Sequence, residues 1–166
     1  MKKKSIKRLL IANRGEIATR IARACYELGI TTVGIYTFED RFSLHRYKTD
    51  ESYRIGVKGD PLRPYLDIDK IVSIAIEKKV DAIHPGYGLL SENADFCQRC
   101  RDAGITFIGP SPKVLRLFGD KTAARRTAKE AGLCTIQGTM TAIDSLDSAV
   151  NIASELGYPV IVKSTI

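Results

Sequence analysis

Over the first 108 residues, short apolar runs alternate with segments whose apolar side chains recur at helical spacing, and this alternation leaves few folds open. Residues 7–13, with Arg8-Leu9-Leu10-Ile11-Ala12 at their centre, form a near-continuous apolar run of the kind a buried parallel strand requires. Ile17, Ile21, Cys25 and Leu28 then line one helical face, and Gly29 closes that helix. Residues 31–36 read as a second strand and 52–55 as a short third, after an irregular polar segment holding His45. An amphipathic helix is predicted over 67–79, a strand over 82–84, a helix over 91–103 and a strand over 105–108. Strands alternating with helices imply an α/β fold with a parallel, Rossmann-like sheet and right-handed crossovers.

The corner between Ile83 and Phe96 carries the most chemistry. Pro85 disfavours helix at His84, and Gly86 and Gly88 allow backbone conformations and close approaches that other residues resist. Ser91 is expected to cap the helix that carries Phe96. A strand, a glycine-containing loop and a helix start make the usual site-bearing corner of an α/β protein. A plain tight connection would account for the glycines, but not for a histidine, a tyrosine and Ser91-Glu92-Asn93 crowded around them.

After Gly109-Pro110-Ser111-Pro112 the texture changes. Two successive short helices are predicted over 113–118 and 121–131, ended by Gly132. A strand is expected over 135–141, a helix over 146–156 and a strand over 158–163. The expected organisation is therefore a first domain over 1–112, linker helices over 113–134 and the start of a further βαβ-like unit over 135–166.

Composition narrows the function classes. Apolar residues make up 44% and charged residues 27% of the chain, as in soluble globular proteins. No apolar run approaches the roughly 18–20 residues of a membrane span, and Met1-Lys2-Lys3-Lys4 is followed by Ser5-Ile6-Lys7-Arg8 where a signal peptide needs an apolar segment. A cytoplasmic protein without a membrane partner is expected. The net charge is +7, yet the cations are spread over many elements with no basic stripe interleaved with aromatics, which argues against nucleic acid. A polyanionic small molecule is the preferred source of that charge. Of the cysteines, Cys97 and Cys100 have metal or redox spacing, but they lie within a predicted helix and lack a second pair, so reduced or buried thiols are expected and no metal site is assigned.

Four places invite a nucleotide or phosphate reading. Asn13-Arg14-Gly15-Glu16 occupies the first strand-to-helix turn, where a dinucleotide fold carries three glycines; one glycine cannot seat a pyrophosphate there, so a dehydrogenase is disfavoured. Asp40, after the second strand, is expected in a solvated loop rather than on a ribose. Asp120 is expected to cap the helix beginning at Lys121, and a lysine in a first turn opposes the helix dipole unless it reaches a phosphate that the helix end also attracts. Lys163 ends an apolar run as a point charge suited to phosphate. Spacing alone separates neither lysine from an ordinary solvated one.

The chain resembles the biotin carboxylase family, the ATP-grasp component of biotin-dependent carboxylases. The resemblance is carried by Ile11-Ala12-Asn13-Arg14-Gly15-Glu16-Ile17-Ala18, Arg23-Ala24-Cys25, His84-Pro85-Gly86-Tyr87-Gly88, Ser91-Glu92-Asn93-Ala94, Phe107-Ile108-Gly109-Pro110, Gly119-Asp120-Lys121 and Gly157-Tyr158-Pro159-Val160-Ile161-Val162-Lys163. Leu44-His45-Arg46-Tyr47-Lys48-Thr49-Asp50-Glu51 looks closer to pyruvate carboxylases than to acetyl-CoA carboxylases.

That resemblance implies a Rossmann-like pre-ATP-grasp domain, linker helices and the truncated start of an ATP-grasp lid subdomain. It implies a reaction in which ATP activates bicarbonate to carboxyphosphate and CO2 passes to N1 of biotin on a carrier domain, with a carboxyltransferase component as a further partner. Lys121 and Lys163 fall on the family's early ATP-contacting lysines, and Tyr87 and Gly88 in the loop near the biotin and bicarbonate pocket. Arg23 and Glu27 lie on the helix that helps form the homodimer in bacterial relatives, although an ordinary solvated i,i+4 pair would look the same. The carboxylates that hold Mg2+ and the later basic residues for bicarbonate are absent from these 166 residues, and no catalytic or metal-binding residue is assigned within them. The chain alone is therefore expected not to turn over ATP. A fragment of another ATP-grasp ligase and a non-catalytic dimerisation or regulatory module are the alternatives.

Overall fold

The computed structural model describes residues 5–139 and 141–163. Met1-Lys2-Lys3-Lys4, Met140 and Ser164-Thr165-Ile166 lie outside the described residues. The chain divides into two compact units, Met1–Pro112 and Lys113–Ile166.

In the first unit, strands β1 (Arg8–Ile11), β2 (Thr31–Tyr36), β3 (Glu51–Arg54), β4 (Ala82–His84) and β5 (Thr106–Phe107) form one wholly parallel sheet in the order β3-β2-β1-β4-β5. Helices α1 (Gly15–Glu27), α2 (Leu44–Lys48), α3 (Ile68–Glu77) and α4 (Ala94–Asp102) run between them. The register sets Leu10 opposite Val33 on one side and Ile83 on the other.

Alternation along the strands decides which side chain meets which helix. Leu9, Ile11 and Ala82 pack with Ala18, Ile21, Ala22 and Cys25 of α1. Leu10 and Ile83 point the other way and are fully buried. Phe107 shares the face of its register partner Ile83, and Phe96 of α4 meets it edge to face, with ring centroids 5.8 Å apart at 89°. Truncating Phe96 to alanine in such a setting costs about 3–5 kcal/mol.

Two expectations are corrected here. Ser91 does not cap α4; it lies in a turn, its N–H donating to Gly88 O, while Asn93 Oδ1 accepts from Phe96 N at 2.8 Å. The helix starts later than its apolar pattern suggests, so the later of two cap-forming residues is the one at its boundary. The segment holding His45 is also less irregular than expected. A 3-10 turn over Glu39–Phe42 leads into α2, and His45 is 1% exposed.

The second unit contains α6 (Lys121–Glu130) and α7 (Leu146–Leu156), preceded by α5 (Pro112–Gly119), which begins at the boundary. Asp120 caps α6 as expected, Oδ1 accepting from Thr122 N at 2.8 Å and Ala123 N at 3.1 Å. The strands expected over 135–141 and 158–163 are not formed among the described residues. An apolar run becomes a strand only when a neighbour completes its ladder, and Pro159 offers no backbone donor. Lys163 accordingly stands in exposed coil, not at a strand end.

Candidate functional site

β1 and β4 are neighbours in the sheet, but from β1 the chain moves outward through β2 and β3 before returning to β4 on the other side. The connections therefore diverge between β1 and β4, opening a crevice at their carboxyl ends, where open α/β sheets place their ligands. The two segments entering it are 13–16, after β1, and 84–90, after β4. Ala12 N donates to His84 O at 2.9 Å, carrying the ladder to its mouth.

One buried side chain joins the two segments. Asn13, 4% exposed, donates from Nδ2 to Pro85 O at 2.6 Å and to Tyr87 O at 2.9 Å, and its Oδ1 accepts from Arg14 N. The loop it holds is conformationally costly. Gly86 and Gly88 have φ of +68° and +62°, and Leu89, a branched residue, sits at +45°. His84 closes the inner side, its Nδ1 accepting from Gly86 N at 3.0 Å. Burial holds the His84 imidazole below its ordinary titration range, which keeps that acceptor free. Tyr87 is 62% exposed, and its hydroxyl donates to Glu16 Oε2 at 3.0 Å.

Two of the amides at the first turn are already engaged within the protein. Arg14 N is taken by Asn13, and Gly15 N donates to His45 Nδ1 at 3.3 Å. His45 Nε2–H then donates to Ile35 O, an arrangement that needs the neutral ring; burial pushes its pKa down, in keeping with that. The turn that lacks the three glycines thus commits its Arg14 and Gly15 amides to the protein's own acceptors.

Asp40 is corrected from solvated loop to buried acid, 4% exposed. Arg14 forks onto it through Nε and Nη2, both at 2.6 Å, Tyr65 donates to Oδ2 at 2.7 Å and Ser43 to Oδ1 at 3.0 Å. Burial alone would raise this carboxyl, but these donors outweigh it and hold the pKa at about 2. The partners stand 26 and 25 positions away, out of reach of local pattern.

The remaining candidates lie elsewhere. Arg23 and Glu27 of α1 pair at 3.0 Å on an exposed face. Lys121 opens α6 and is exposed, as is Lys163. Both belong to the second unit, whereas Tyr87 and Gly88 belong to the first. Cys97 and Cys100 are buried free thiols. The fold does assemble a basic and aromatic cluster from residues 36–58, contrary to the expectation of no basic stripe interleaved with aromatics. Arg41 stacks on Phe38 and Phe42, Arg46 on Tyr36 and Tyr47, and Lys58 on Phe38. These rings are engaged by the chain's own cations. Among the described residues, no group of three or more His, Cys, Asp or Glu could hold a metal ion, so no step is assigned to Mg2+ through them. No helix among the described residues is long and apolar enough to cross a membrane.

Comparison with known proteins identifies the family. Residues 5–115 match the family "Biotin carboxylase, N-terminal domain", and 120–166 match "Carbamoyl-phosphate synthase L chain, ATP binding domain". Pyruvate carboxylase of Staphylococcus aureus is 54% identical over 98% of this chain, and biotin carboxylase 1 of Bacillus subtilis is 49% identical over 96%. The chain spans 14% of the former's length and 35% of the latter's. The biotin carboxylase domain dimer of Hydrogenobacter thermophilus 2-oxoglutarate carboxylase, solved with MgADP, ADP and bicarbonate, aligns with a TM-score of 0.89 at 46% identity, covering 98% of this chain and 35% of that one. The chain belongs to the biotin carboxylase family, with residues 5–115 matching its N-terminal domain.

Proposed function

We propose that the chain supplies the N-terminal part of a biotin carboxylase that uses ATP and bicarbonate to carboxylate biotin on a carrier domain, within a pyruvate carboxylase. The observation that carries this reading is the 54% identity to a pyruvate carboxylase over 98% of the chain, together with the Asn13-held loop at the divergence of β1 and β4. Transfer through a highly charged phosphoryl state depends on positioning and on fixed cations more than on covalent participation by the protein.

In this reading, the loop at Tyr87 and Gly88 borders the pocket for biotin and bicarbonate. Lys121, in the first turn of a helix capped by Asp120, and Lys163 contribute positive charge to the ATP phosphates. Residues 1–112 serve as the pre-ATP-grasp domain, 113–134 as linker helices and 135–166 as the start of the lid subdomain. α1, with the exposed Arg23–Glu27 pair, contributes to a homodimer, and a carboxyltransferase component receives the carboxyl group. The setting is cytoplasmic. Because the magnesium-holding carboxylates are not among these residues, the 166-residue chain does not turn over ATP by itself.

The test is carboxylation by the complete gene product. ADP formation dependent on both bicarbonate and biotin, followed by carboxylation of pyruvate in preference to an acyl-CoA, is the expected result. Bicarbonate-dependent ATP cleavage that is indifferent to biotin would favour another ATP-grasp ligase. Calorimetric titration of the 166-residue chain with ATP should show no sub-micromolar binding.

A further inference from the structure

We propose that the 13–16 turn is the positioning element for Tyr87, with Asn13 fixing the backbone of the loop and Glu16 fixing the direction of the phenol ring. This rests on the reading of Tyr87 as a residue bordering the biotin pocket.

Three observations carry it. Asn13 spends both amide hydrogens on the loop, at Pro85 O and Tyr87 O, so the backbone immediately before and at Tyr87 is tied to the end of β1. The tie is tight, since a Cβ on Gly86 would lie 2.7 Å from Asn13 Nδ2. A loop whose φ is positive at Gly86, Gly88 and Leu89 needs such external support to hold one conformation. With the backbone held, the ring of an exposed tyrosine still has its own torsions, and its hydroxyl donates across the crevice to Glu16. The turn is free for this work because its amides at Arg14 and Gly15 are already satisfied by Asn13 and His45. A site that seats a pyrophosphate in dinucleotide folds is here turned over to holding the neighbouring loop.

The complete gene product is assayed with free biotin as acceptor, ATP and bicarbonate. Glu16→Ala and Tyr87→Phe should each raise the KM for biotin about three- to tenfold, the loss of one hydrogen bond, with the KM for ATP unchanged. Glu16→Gln, whose amide oxygen still accepts from the phenol, should restore wild-type behaviour. The double variant should be no worse than either single, because both remove the same contact. Asn13→Asp, which replaces the donor amide facing two carbonyls with an acceptor carboxylate oxygen, should reduce biotin carboxylation further. Should that variant fold poorly, the Glu16 and Tyr87 cycle on the surface decides alone. Multiplying effects, equal shifts for ATP and biotin, or a Glu16→Gln variant as impaired as Glu16→Ala would overturn the inference. A wild type that carboxylates no biotin overturns the proposed function and this inference with it, whereas an active wild type indifferent to Glu16→Ala overturns the inference alone.

Discussion

Gly86 leaves no room for a side chain beside Asn13: a Cβ there would lie 2.7 Å from Nδ2 and 3.0 Å from Cγ of the buried amide. The same glycine has φ of +68°, so two constraints fall on one position. β1 and the loop after β4 can be joined by a single asparagine only because the intervening backbone carries nothing that must be displaced.

Gly86→Ala should therefore destabilise the first unit by more than the left-handed backbone alone, which costs about 1–2 kcal/mol. Urea unfolding monitored by circular dichroism measures it, and the midpoint should fall with an unchanged slope. Gly15→Ala is the control, with φ of +61° but nothing within 4 Å of a new Cβ. If both variants lose equal stability, the close approach to Asn13 carries no energetic weight.

Asp40 gives the fold a pH dependence with a defined window. Its carboxyl is ordinarily at 3.8 and is held at about 2 in the folded chain. A depressed carboxylate stabilises above its unfolded value, and that contribution is lost as pH falls from about 4 toward 2. A displacement of this size corresponds to about 2 kcal/mol. Unfolding free energies measured between pH 5 and pH 2.5 should fall more steeply for the wild type than for Asp40→Asn. At pH 7 that variant should be the less stable, because the Tyr65 hydroxyl and the Arg14 fork lose a charged acceptor. Parallel pH curves would mean that Asp40 titrates normally.

Legibility in the sequence followed the range of the interactions concerned. The run over 31–36 and the helix over 146–156 match β2 and α7 residue for residue, because apolar periodicity and local caps report on positions close together. The parallel sheet was legible for the same reason. The Asp40 cluster was not, since its buried acid takes donors from Arg14 and Tyr65, each about 25 positions away, and nothing around Asp40 itself distinguishes it from a loop acid. The Ser91 and Asn93 ambiguity has another origin: both residues can cap a helix, and the first turn rather than the residue type decides between them. Runs 135–141 and 158–163 show the limit for strands, whose existence depends on a ladder partner that local pattern cannot supply. At the site, the His84–Gly88 loop stood out by composition and the Asn13–Glu16 turn by its position after a strand, but the role of Asn13 as anchor did not, since its partners lie more than 70 positions away.

The two histidines, His45 and His84, should both titrate below the ordinary value of 6.5. Each is held down by burial, and each uses Nδ1 as an acceptor for a backbone N–H, from Gly15 and Gly86 respectively. Protonation destroys both acceptors. The unfolded chain takes up these protons first as pH falls below 6.5, so stability should decline from that point downward, well before the Asp40 window opens. Imidazole NMR resonances followed from pH 8 to pH 5 test this directly. A midpoint at or above 6.5 for either ring would show that its Nδ1 hydrogen bond is not maintained in solution.

Thiol chemistry should separate one cysteine from the rest. Cys134 is exposed, whereas Cys25, Cys97 and Cys100 are buried. Alkylation requires both access and thiolate. Burial pushes Cys100 up to about 12 and also raises Cys25, and the Cys97 thiol donates to Pro110 O at 3.5 Å. Iodoacetamide at pH 8 should therefore modify Cys134 alone in the folded chain and all four cysteines after urea unfolding, as counted by intact mass. The spacing of Cys97 and Cys100 invites a redox or metal reading, and the experiment distinguishes it from packing. A reactive pair would label early and protect on addition of zinc, whereas two core thiols on the buried face of α4 become available only when Phe96 and its neighbours leave the sheet.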